Sequence, residues 1–363
     1  MKNTVYHILW TLISLLSLVG CVHEIPEEGL GNPVPFSLHL EFDTELPLYK
    51  EIYYSRNGQE GKQVPSYDIR YLVNAYRSTD LRSDESRKPD TTFVFTHQNI
   101  HQLDRTLPLE LREGTYTFKV WVDYVDKGSE TDLYYDTSDF SEIILAEKED
   151  HPGSNDYRDA FKGSVTAVVR NPALYTGAIL NTIDNQAKVE MRRPMGKFKF
   201  ITTDLEQFLT RVAKMLEEEG AIDKVDSKAT YEQLLDLVEL DDYEIRFRYN
   251  LFMPCSFNMF TDKPAGSWMG MSFKSLMHNE NNKEITLGFD YIFVNGSETT
   301  LSITVEVYDK EGKQLSVSNP VNVPIVRSKL TVVKGDFLTS EASGGVSINP
   351  SFDSDDYNVE IQW

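Results

Sequence analysis

Short segments in which apolar and polar residues alternate recur along most of this chain. The clearest in the first half is 116–124, Tyr-Thr-Phe-Lys-Val-Trp-Val-Asp-Tyr, and the pattern begins at 36–42. A period of two places successive side chains on opposite faces of a strand, so one face can be buried while the other meets water. Many short strands with Gly, Asn and Asp turns between them are typical of β-sandwiches. The sequence therefore predicts an all-β fold of two β-sandwich domains in tandem, 36–190 and 191–363.

One stretch, 203–239, departs from this pattern and predicts a small helical insertion. Thr203 with Glu206, and Thr230 with Gln233, have the spacing of helix capping boxes. Apolar residues follow each pair at helical spacing, which places them on one face of a helix. We expect these apolar stripes to pack on the core of the second domain instead of holding a cofactor.

Turn residues predict two tight reversals in the second half. Asn295 and Gly296 stand between the apolar segments 285–293 and 301–308, which is typical of a β-hairpin. The segment 309–312, Asp-Lys-Glu-Gly, predicts a further turn.

The N-terminus has the order of a secretory signal: Lys2, then an apolar run that ends at Gly20. This run is too short to cross a bilayer comfortably, which takes about 20 apolar residues. Leu18-Val19-Gly20-Cys21 resembles the bacterial lipobox, in which the cysteine is acylated and becomes the new N-terminus. We expect 1–20 to be a lipoprotein signal peptide, Cys21 to carry the lipid (palmitate among its chains) and 21–35 to be a tether. The alternative is an ordinary signal peptide with a chance cysteine.

This N-terminus also predicts where the protein works. A lipid on Cys21 would tether it to the outer membrane without a membrane-spanning helix. The acidic residues Glu24, Glu27 and Glu28 resemble the surface-export signal of lipoproteins in the Bacteroidetes, and a solvated acidic tether explains them equally well. We expect an exported, surface-exposed protein that meets the membrane through this lipid only.

Charge and cysteine content exclude several classes of partner and site. The formal net charge is −21, which repels phosphate backbones, so we expect no nucleic-acid binding. The chain has two cysteines. If Cys21 is acylated, Cys255 is alone, which excludes a disulfide framework and a cysteine-rich zinc site. We expect Cys255 to be a small buried apolar residue.

Catalytic motifs are missing from the sequence. It has no Gly-rich phosphate loop, no HExxH and no GxSxG, and at 266–270 the serine stands one position too early. A catalytic pair of carboxylates far apart in sequence stays open, but no residue singles one out. We expect no enzyme activity and no cofactor.

Metal-ligand spacing occurs once, at His97 and His101 with Asp104 beyond. On a helix the two imidazoles would share a face, which suits zinc. Only one helical turn fits between the preceding strand and the next, so a polar loop is the favoured interpretation. Acidic clusters at 147–150 and 353–356 lack the spacing of a calcium loop. We therefore expect no metal site.

The C-terminal quarter carries a family resemblance. The segment 323–339, Val-Pro-Ile-Val-Arg-Ser-Lys-Leu-Thr-Val-Val-Lys-Gly-Asp-Phe-Leu-Thr, is similar to one found in Bacteroidales fimbrillins. The segment 346–352 resembles the closing strand of that family, and 192–198 resembles the Arg-Pro entry to its second domain. With the lipobox, these segments identify the chain as a member of the fimbrillin-like lipoproteins. The resemblance implies two fimbrillin-type (transthyretin-like) sandwiches in a pilus or adhesion protein, with other pilus subunits, copies of itself, or a host or bacterial surface ligand as partners.

The resemblance also implies assembly by strand addition after proteolysis. The equivalent removable strand is 36–42, with Phe36, Leu38, Leu40 and Phe42 as its alternating residues, and Arg56 is the equivalent cleavage site. A permanent strand and a merely solvated Arg56 are the alternatives. The candidate donor strand at the C-terminus has four alternating residues: Tyr357, Val359, Ile361 and Trp363. It could equally be the last strand of its own sandwich.

Two other functions stay open from sequence. A glycan-binding lipoprotein of a nutrient-uptake system would expose aromatic residues such as Trp121, Trp268 or Trp363 on one face. A secreted hydrolase would need a catalytic constellation that the sequence does not reveal.

Overall fold

The computed structural model describes residues 31–43, 67–78, 88–100, 102–149, 151–277 and 285–340, and the backbone alone of 347–351 and 357–362. The predicted lipid site Cys21, cleavage site Arg56 and terminal Trp363 lie outside the described residues, as does His101. No helix within these ranges has the length and apolarity needed to cross a bilayer.

The N-terminal half is built from β-strands, as the alternating pattern predicts. Its strands are β1 (Val34–Phe42), β2 (Tyr67–Arg77), β3 (Thr91–His97), β4 (Arg105–Leu111), β5 (Gly114–Asp126), β6 (Tyr135–Asp136), β7 (Ile143–Leu145), β8 (Phe161–Val169) and β9 (Gln186–Met191). Seven of them form a three-stranded sheet in the order β4-β1-β9 and a four-stranded sheet in the order β3-β2-β5-β8. The two sheets pack face to face, and Phe36 of one stacks on Phe118 of the other with ring centroids 5.3 Å apart.

The C-terminal half is a second sandwich with two helices. Its helices are α1 (Leu205–Glu218) and α2 (Tyr231–Leu237). Its strands are β10 (Met195–Thr202), β11 (Glu244–Tyr249), β12 (Met253–Pro254), β13 (Ser256–Asn258), β14 (Lys263–Pro264), β15 (Ser267–Trp268), β16 (Ser272–Leu276), β17 (Ile285–Phe293), β18 (Glu298–Tyr308), β19 (Gln314–Val317), β20 (Val321–Val326), β21 (Leu330–Gly335), β22 (Ser347–Ser351) and β23 (Tyr357–Gln362).

One five-stranded sheet of this half has the order β17-β10-β21-β23-β22. The facing sheet, also of five strands, has the order β16-β11-β18-β19 with β20 also paired to β18. Phe200 of β10 meets Phe247 of β11 edge to face at 5.3 Å, which marks the core between the sheets. The predicted all-β fold of two sandwiches in tandem is thus confirmed.

The two halves are joined by more than the chain between them. β7 of the first half pairs with β13 of the second, in a small sheet of order β14-β13-β7-β6. The segment 151–160 also enters the second half, where the Ser154 amide donates to the Phe289 carbonyl at 2.7 Å. Backbone pairing of this kind fixes the two sandwiches against each other.

Local predictions in the helical insertion are partly confirmed. Thr230 and Gln233 form the predicted capping box at the start of α2. The box predicted at Thr203 and Glu206 is wrong: α1 begins after Asp204, whose side chain makes no capping bond. Its carboxylate instead accepts hydrogen bonds from the backbone and hydroxyl of Thr339, each at 2.7 Å. The Asp204 side chain therefore bonds to a distant segment of the chain and does not cap α1.

The hairpin predicted at Asn295-Gly296 is also wrong. β17 pairs with β10, whereas β18 pairs with β11, β19 and β20, so the turn carries the chain from one sheet to the other. The turn predicted at 309–312 is confirmed, since it joins the antiparallel pair β18 and β19.

Candidate strand-exchange site

The predicted removable strand is β1, which lies in the middle of its sheet. It pairs antiparallel with β4, from Val34 opposite Leu111 to Leu40 opposite Arg105. On its other side it pairs parallel with β9, from Ser37 opposite Gln186 to Phe42 opposite Met191. A strand in this position uses main-chain groups on both edges, so its removal would open a slot between β4 and β9.

Alternate side chains of β1 fill the core of the first sandwich. Phe36, Leu38 and Leu40 are 1%, 0% and 2% exposed. Phe42, at the end of the strand, is half-buried and meets the Phe161 ring edge to face at 5.0 Å. The four residues predicted from the period-two pattern thus share one face, and that face is the one turned to the facing sheet.

The opposite face of β1 is polar and held by weak contacts. The His39 imidazole contacts the Thr106 hydroxyl at 2.8 Å and the Gln186 side-chain oxygen at 3.0 Å. Glu41 forms an ion pair with Lys188, and both side chains are more than half exposed. Exposed pairs of this kind contribute about 0–1 kcal/mol. Of the two faces, the core face therefore supplies most of the side-chain energy that holds β1.

Hydrogen bonds outside the regular ladder fix the register of β1. Near its start, the Ser37 amide donates to the Asn185 carbonyl at 2.9 Å. At its end, the Phe42 amide donates to Asp104 Oδ1 at 3.1 Å, and the Asp43 amide donates to the Met191 carbonyl at 2.9 Å. An incoming strand would have to replace these bonds as well as the apolar side chains.

The candidate donor strand lies in the other sandwich. β23 pairs parallel with β21, from Thr331 opposite Tyr357 to Lys334 opposite Glu360, and antiparallel with β22. The alternative interpretation from sequence, a last strand of its own sandwich, describes this placement. The structure does not bring Tyr357, Val359 or Ile361 together with β1.

Two residues of the candidate metal site, His97 and Asp104, are hydrogen-bonded to different partners. His97 ends β3, where its Nδ1 accepts a hydrogen bond from the Asn99 amide at 2.9 Å and lies 2.7 Å from the Arg105 guanidinium. Asp104 accepts from the Phe42 amide. Within the described ranges, no group of three or more His, Cys, Asp or Glu side chains could hold a metal ion.

A cluster of buried charges at the junction of the two halves escaped sequence reasoning. Asp290 of β17 forms an ion pair with Arg158, contacts His151 Nε2 at 2.6 Å and accepts from the Tyr249 hydroxyl at 2.5 Å. Burial, together with the charge of Arg158, holds the pKa of His151 well below its usual range. Burial also raises the pKa of Tyr249.

Two further buried ion pairs extend this cluster. Arg193 Nε and Nη2 donate to Asp159 at 2.8 and 2.7 Å, and Lys197 Nζ donates to Asp156 at 2.6 Å. Perturbed, clustered side chains are typical of active sites, but this cluster lacks access. The cavity that reaches His151 has a volume of about 10 Å³, no more than one water needs. The cluster therefore fixes one half to the other.

The structure also places the cysteine and the tryptophans considered in the sequence. Cys255 is 2% exposed, and burial raises the pKa of its thiol to about 11, so it is the inert buried residue that we predict. The glycan-binding alternative would expose Trp121, but this residue is fully buried in the core beside β2 and meets Tyr135 edge to face. Trp268 is half-buried.

Residues 33–362 match the model of a family described as a family of unknown function, DUF6562. No curated protein sequence matches the chain.

Among solved structures, the chain is similar to the fimbrial anchor protein Mfa2 from Porphyromonas gingivalis, at 11% identity and a TM-score of 0.36, with 78% of this chain and 82% of that one covered. It is also similar to a fimbrial assembly protein from Parabacteroides distasonis, at 9% identity and a TM-score of 0.37, with 87% and 94% covered.

Proposed function

The chain belongs to DUF6562, a family of unknown function, and from the geometry of β1 we propose that it is a fimbrillin-like surface protein, a structural or adhesive component of a pilus assembled by strand addition. Its partners in this proposal are other pilus subunits or further copies of itself, with a host or bacterial surface ligand as the target of adhesion. The proposed role is not enzymatic.

One observation carries this proposal: β1 is central to its sheet, and the connection that follows it contains an arginine. It fills the slot between β4 and β9, and the next described strand, β2, begins only at Tyr67. Arg56 lies within that connection. Cleavage there would leave β1 held by non-covalent contacts alone.

The energy of these contacts sets how exchange would proceed. Burying Phe36, Leu38 and Leu40 contributes about 1.5–3 kcal/mol each, or about 5–9 kcal/mol together. A whole domain is stable by only about 5–15 kcal/mol. A sandwich that lost β1 without replacement would therefore unfold, so β1 should leave only as another strand with alternating apolar residues enters.

Limited proteolysis tests this proposal. The purified precursor is treated with an arginine-specific, trypsin-like protease and then examined for SDS-resistant oligomers. We expect a cut at Arg56 followed by a ladder, and Arg56→Ala should abolish both. Arg87→Ala, which removes an arginine from the polar connection between β2 and β3, is the matched control and should change neither. Absence of a cut at Arg56, or of a ladder after it, would refute the role as a polymerising subunit and leave an anchored accessory role.

The donor strand in this proposal is 357–363, with Tyr357, Val359, Ile361 and Trp363 entering the slot. Deleting 357–363 should leave cleavage at Arg56 intact and remove the ladder. A ladder that persists after the deletion would show that another segment is the donor.

Anchoring through Cys21 is the second part of the proposal. It is supported by the lipobox-like sequence that precedes this cysteine. Metabolic labelling with a palmitate analogue should label the wild type and not Cys21→Ser, while Cys255→Ser should remain labelled. If Cys21→Ser is still labelled and still fractionates with the outer membrane, the lipid proposal fails.

Glycan binding remains a second candidate because of one surface feature. Leu251, Phe252 and Met269 are 62%, 61% and 58% exposed, and they flank the β12 and β15 pair that contains Trp268. Phe252 supplies the exposed aromatic ring of this patch, and an exposed aromatic ring can serve as a platform on which a sugar stacks. A glycan array that shows binding lost in Phe252→Ala would favour this function, and an array without signal would remove it.

A further inference from the structure

Strand β3 is an edge strand that lacks the features by which edges are protected. Among the described strands it pairs with β2 alone, so no other described strand uses the main-chain donors and acceptors of its other side. Its sequence, Thr-Thr-Phe-Val-Phe-Thr-His, contains no proline, no lysine and no acidic residue. An uncharged edge of high β-propensity is a template for pairing with another strand.

The other outer strands of the two sandwiches are protected. β4 carries Pro108 and Glu110, β16 carries an exposed Lys274, and β22 carries Pro350. β17 is buried along its whole length, and β19 is four residues long. β8 and β9 lie against each other, and Lys162 of β8 exchanges two main-chain bonds with Arg192, the residue after β9. The open edge of β3 is therefore a departure from how this chain treats its other edges.

The sequence of β3 is also nearly palindromic about Val94. Phe93 and Phe95 flank the centre, Thr92 and Thr96 stand next, and Thr91 and His97 close the strand. We propose that β3 pairs antiparallel with β3 of a second copy of this chain, with Val94 on the two-fold axis. An isologous interface needs a surface that is complementary to itself, and a palindromic edge strand meets that need.

The pairing that follows from this symmetry is favourable at each position. Phe93 lies opposite Phe95 of the second copy, and Thr92 lies opposite Thr96 of the second copy. Aromatic pairs and Thr–Thr pairs are among the cross-strand pairs that stabilise antiparallel sheets. The result is a continuous eight-stranded sheet in the order β8-β5-β2-β3, followed by the same strands of the second copy in reverse.

On both faces of the sheet, the side chains of β3 leave space for the side chains of a partner strand paired to its edge. On the core-facing side, Phe93 and Phe95 stand beside Val73 and Tyr71, which are buried, but the two phenylalanines themselves are only half-buried. On the outer side, a groove of about 510 Å³ runs past Thr92 and Val94. A second strand would cover the phenylalanine rings and narrow this groove.

Charge opposes this association and predicts its salt dependence. Each copy has a formal net charge of −21, so two copies repel over long distances. Salt screens that repulsion, with a Debye length of about 10 Å at about 0.1 M ionic strength. Dimerisation through a seven-residue edge should be weak at low salt and should strengthen as salt is raised, opposite to the behaviour of an interface held by ion pairs.

Sedimentation equilibrium on the full chain in a mild detergent, across protein and salt concentration, tests this proposal. We expect the wild type to dimerise. T92K/T96K places lysine opposite lysine in both outer pairs and should weaken dimerisation about tenfold. T92K/T96E places lysine opposite glutamate in both pairs and should restore it to within about threefold of the wild type. Both variants lose the same Thr92–Asn74 hydrogen bond, but they differ at position 96, which lies opposite Arg70, so the stability of each is measured alongside.

Each outcome of this experiment decides the proposal. Weakening by T92K/T96K with recovery in T92K/T96E supports the symmetric register, provided that circular dichroism shows both variants folded. A monomeric wild type at all salt concentrations, or equal dimerisation of the two variants, overturns it. The proposal is independent of strand exchange, because β1 and β3 lie in different sheets. T92K/T96K should therefore leave cleavage at Arg56 and its products unchanged.

Discussion

Leu38→Ala probes the strand on which the proposed assembly depends. Leu38 lies at the centre of β1, fully buried, with β4 on one side and β9 on the other. Truncation removes three buried carbon atoms and leaves a cavity between the two sheets of the first sandwich. The main-chain bonds of β1 are unaffected, so the change isolates the contribution of core packing.

The expected cost is that of a buried leucine truncation, about 2–5 kcal/mol in the free energy of unfolding. In the uncleaved chain this appears as a lower urea midpoint. After cleavage at Arg56, the same loss falls on the contacts that hold the fragment. If the whole loss of free energy appears in the rate of dissociation, the fragment should leave at least about 30 times faster, because 1.36 kcal/mol corresponds to a factor of ten.

Release of the fragment can be followed by fluorescence after labelling it and adding excess unlabelled fragment. Glu41→Gln is the matched control on the exposed face of the same strand, where it removes only a solvated ion pair. It should change the release rate by less than about fivefold. Equal release rates for Leu38→Ala and Glu41→Gln would refute the conclusion that core packing holds β1.

Three further predictions concern the second sandwich and its junction with the first. Asp290→Asn leaves the buried Arg158 without its charge partner and should lower the free energy of unfolding by about 3–5 kcal/mol in urea titrations; a loss below about 1 kcal/mol would contradict the burial described. Because the pKa of His151 is lowered in the folded state, the unfolded state binds the extra proton, so stability should fall as pH drops below about 6.5. His151→Gln should reduce that slope, and an unchanged slope would assign it to other groups. In Gly196→Ala the new Cβ would lie 2.2 Å from the Val326 carbonyl oxygen. The free energy of unfolding should therefore fall by at least about 2 kcal/mol, which lowers the melting temperature by several degrees. An unchanged melting temperature would contradict this close approach.

The strands were predictable from sequence because their signal is local. The period-two pattern at 36–42 and 116–124 reports directly which side chains are buried, and the structure places β1 and β5 there. The capping box at Thr230 and Gln233 is local in the same way, since both residues belong to one helical turn.

Features that depend on distant residues were missed. Asn295-Gly296 predicts a tight turn correctly but cannot show that the strands on either side join different sheets. The Asp204 carboxylate accepts a hydrogen bond from Thr339, which lies 135 residues away in the sequence, and so does not cap its helix. The charged segment 151–160 has the composition of a solvated loop, and only the partners far along the chain, such as Asp290, make it the buried junction.

Native mass spectrometry of the Arg56-cleaved protein tests the central claim most directly. The masses show whether each subunit of an oligomer has lost the N-terminal fragment that carries β1. In the T92K/T96K background, where pairing through β3 is weakened, we predict that every oligomer contains subunits without the fragment, with fragment release and oligomer growth rising together. Oligomers of this variant in which all subunits retain their fragments, or fragments that leave without oligomers forming, would contradict assembly by exchange of β1.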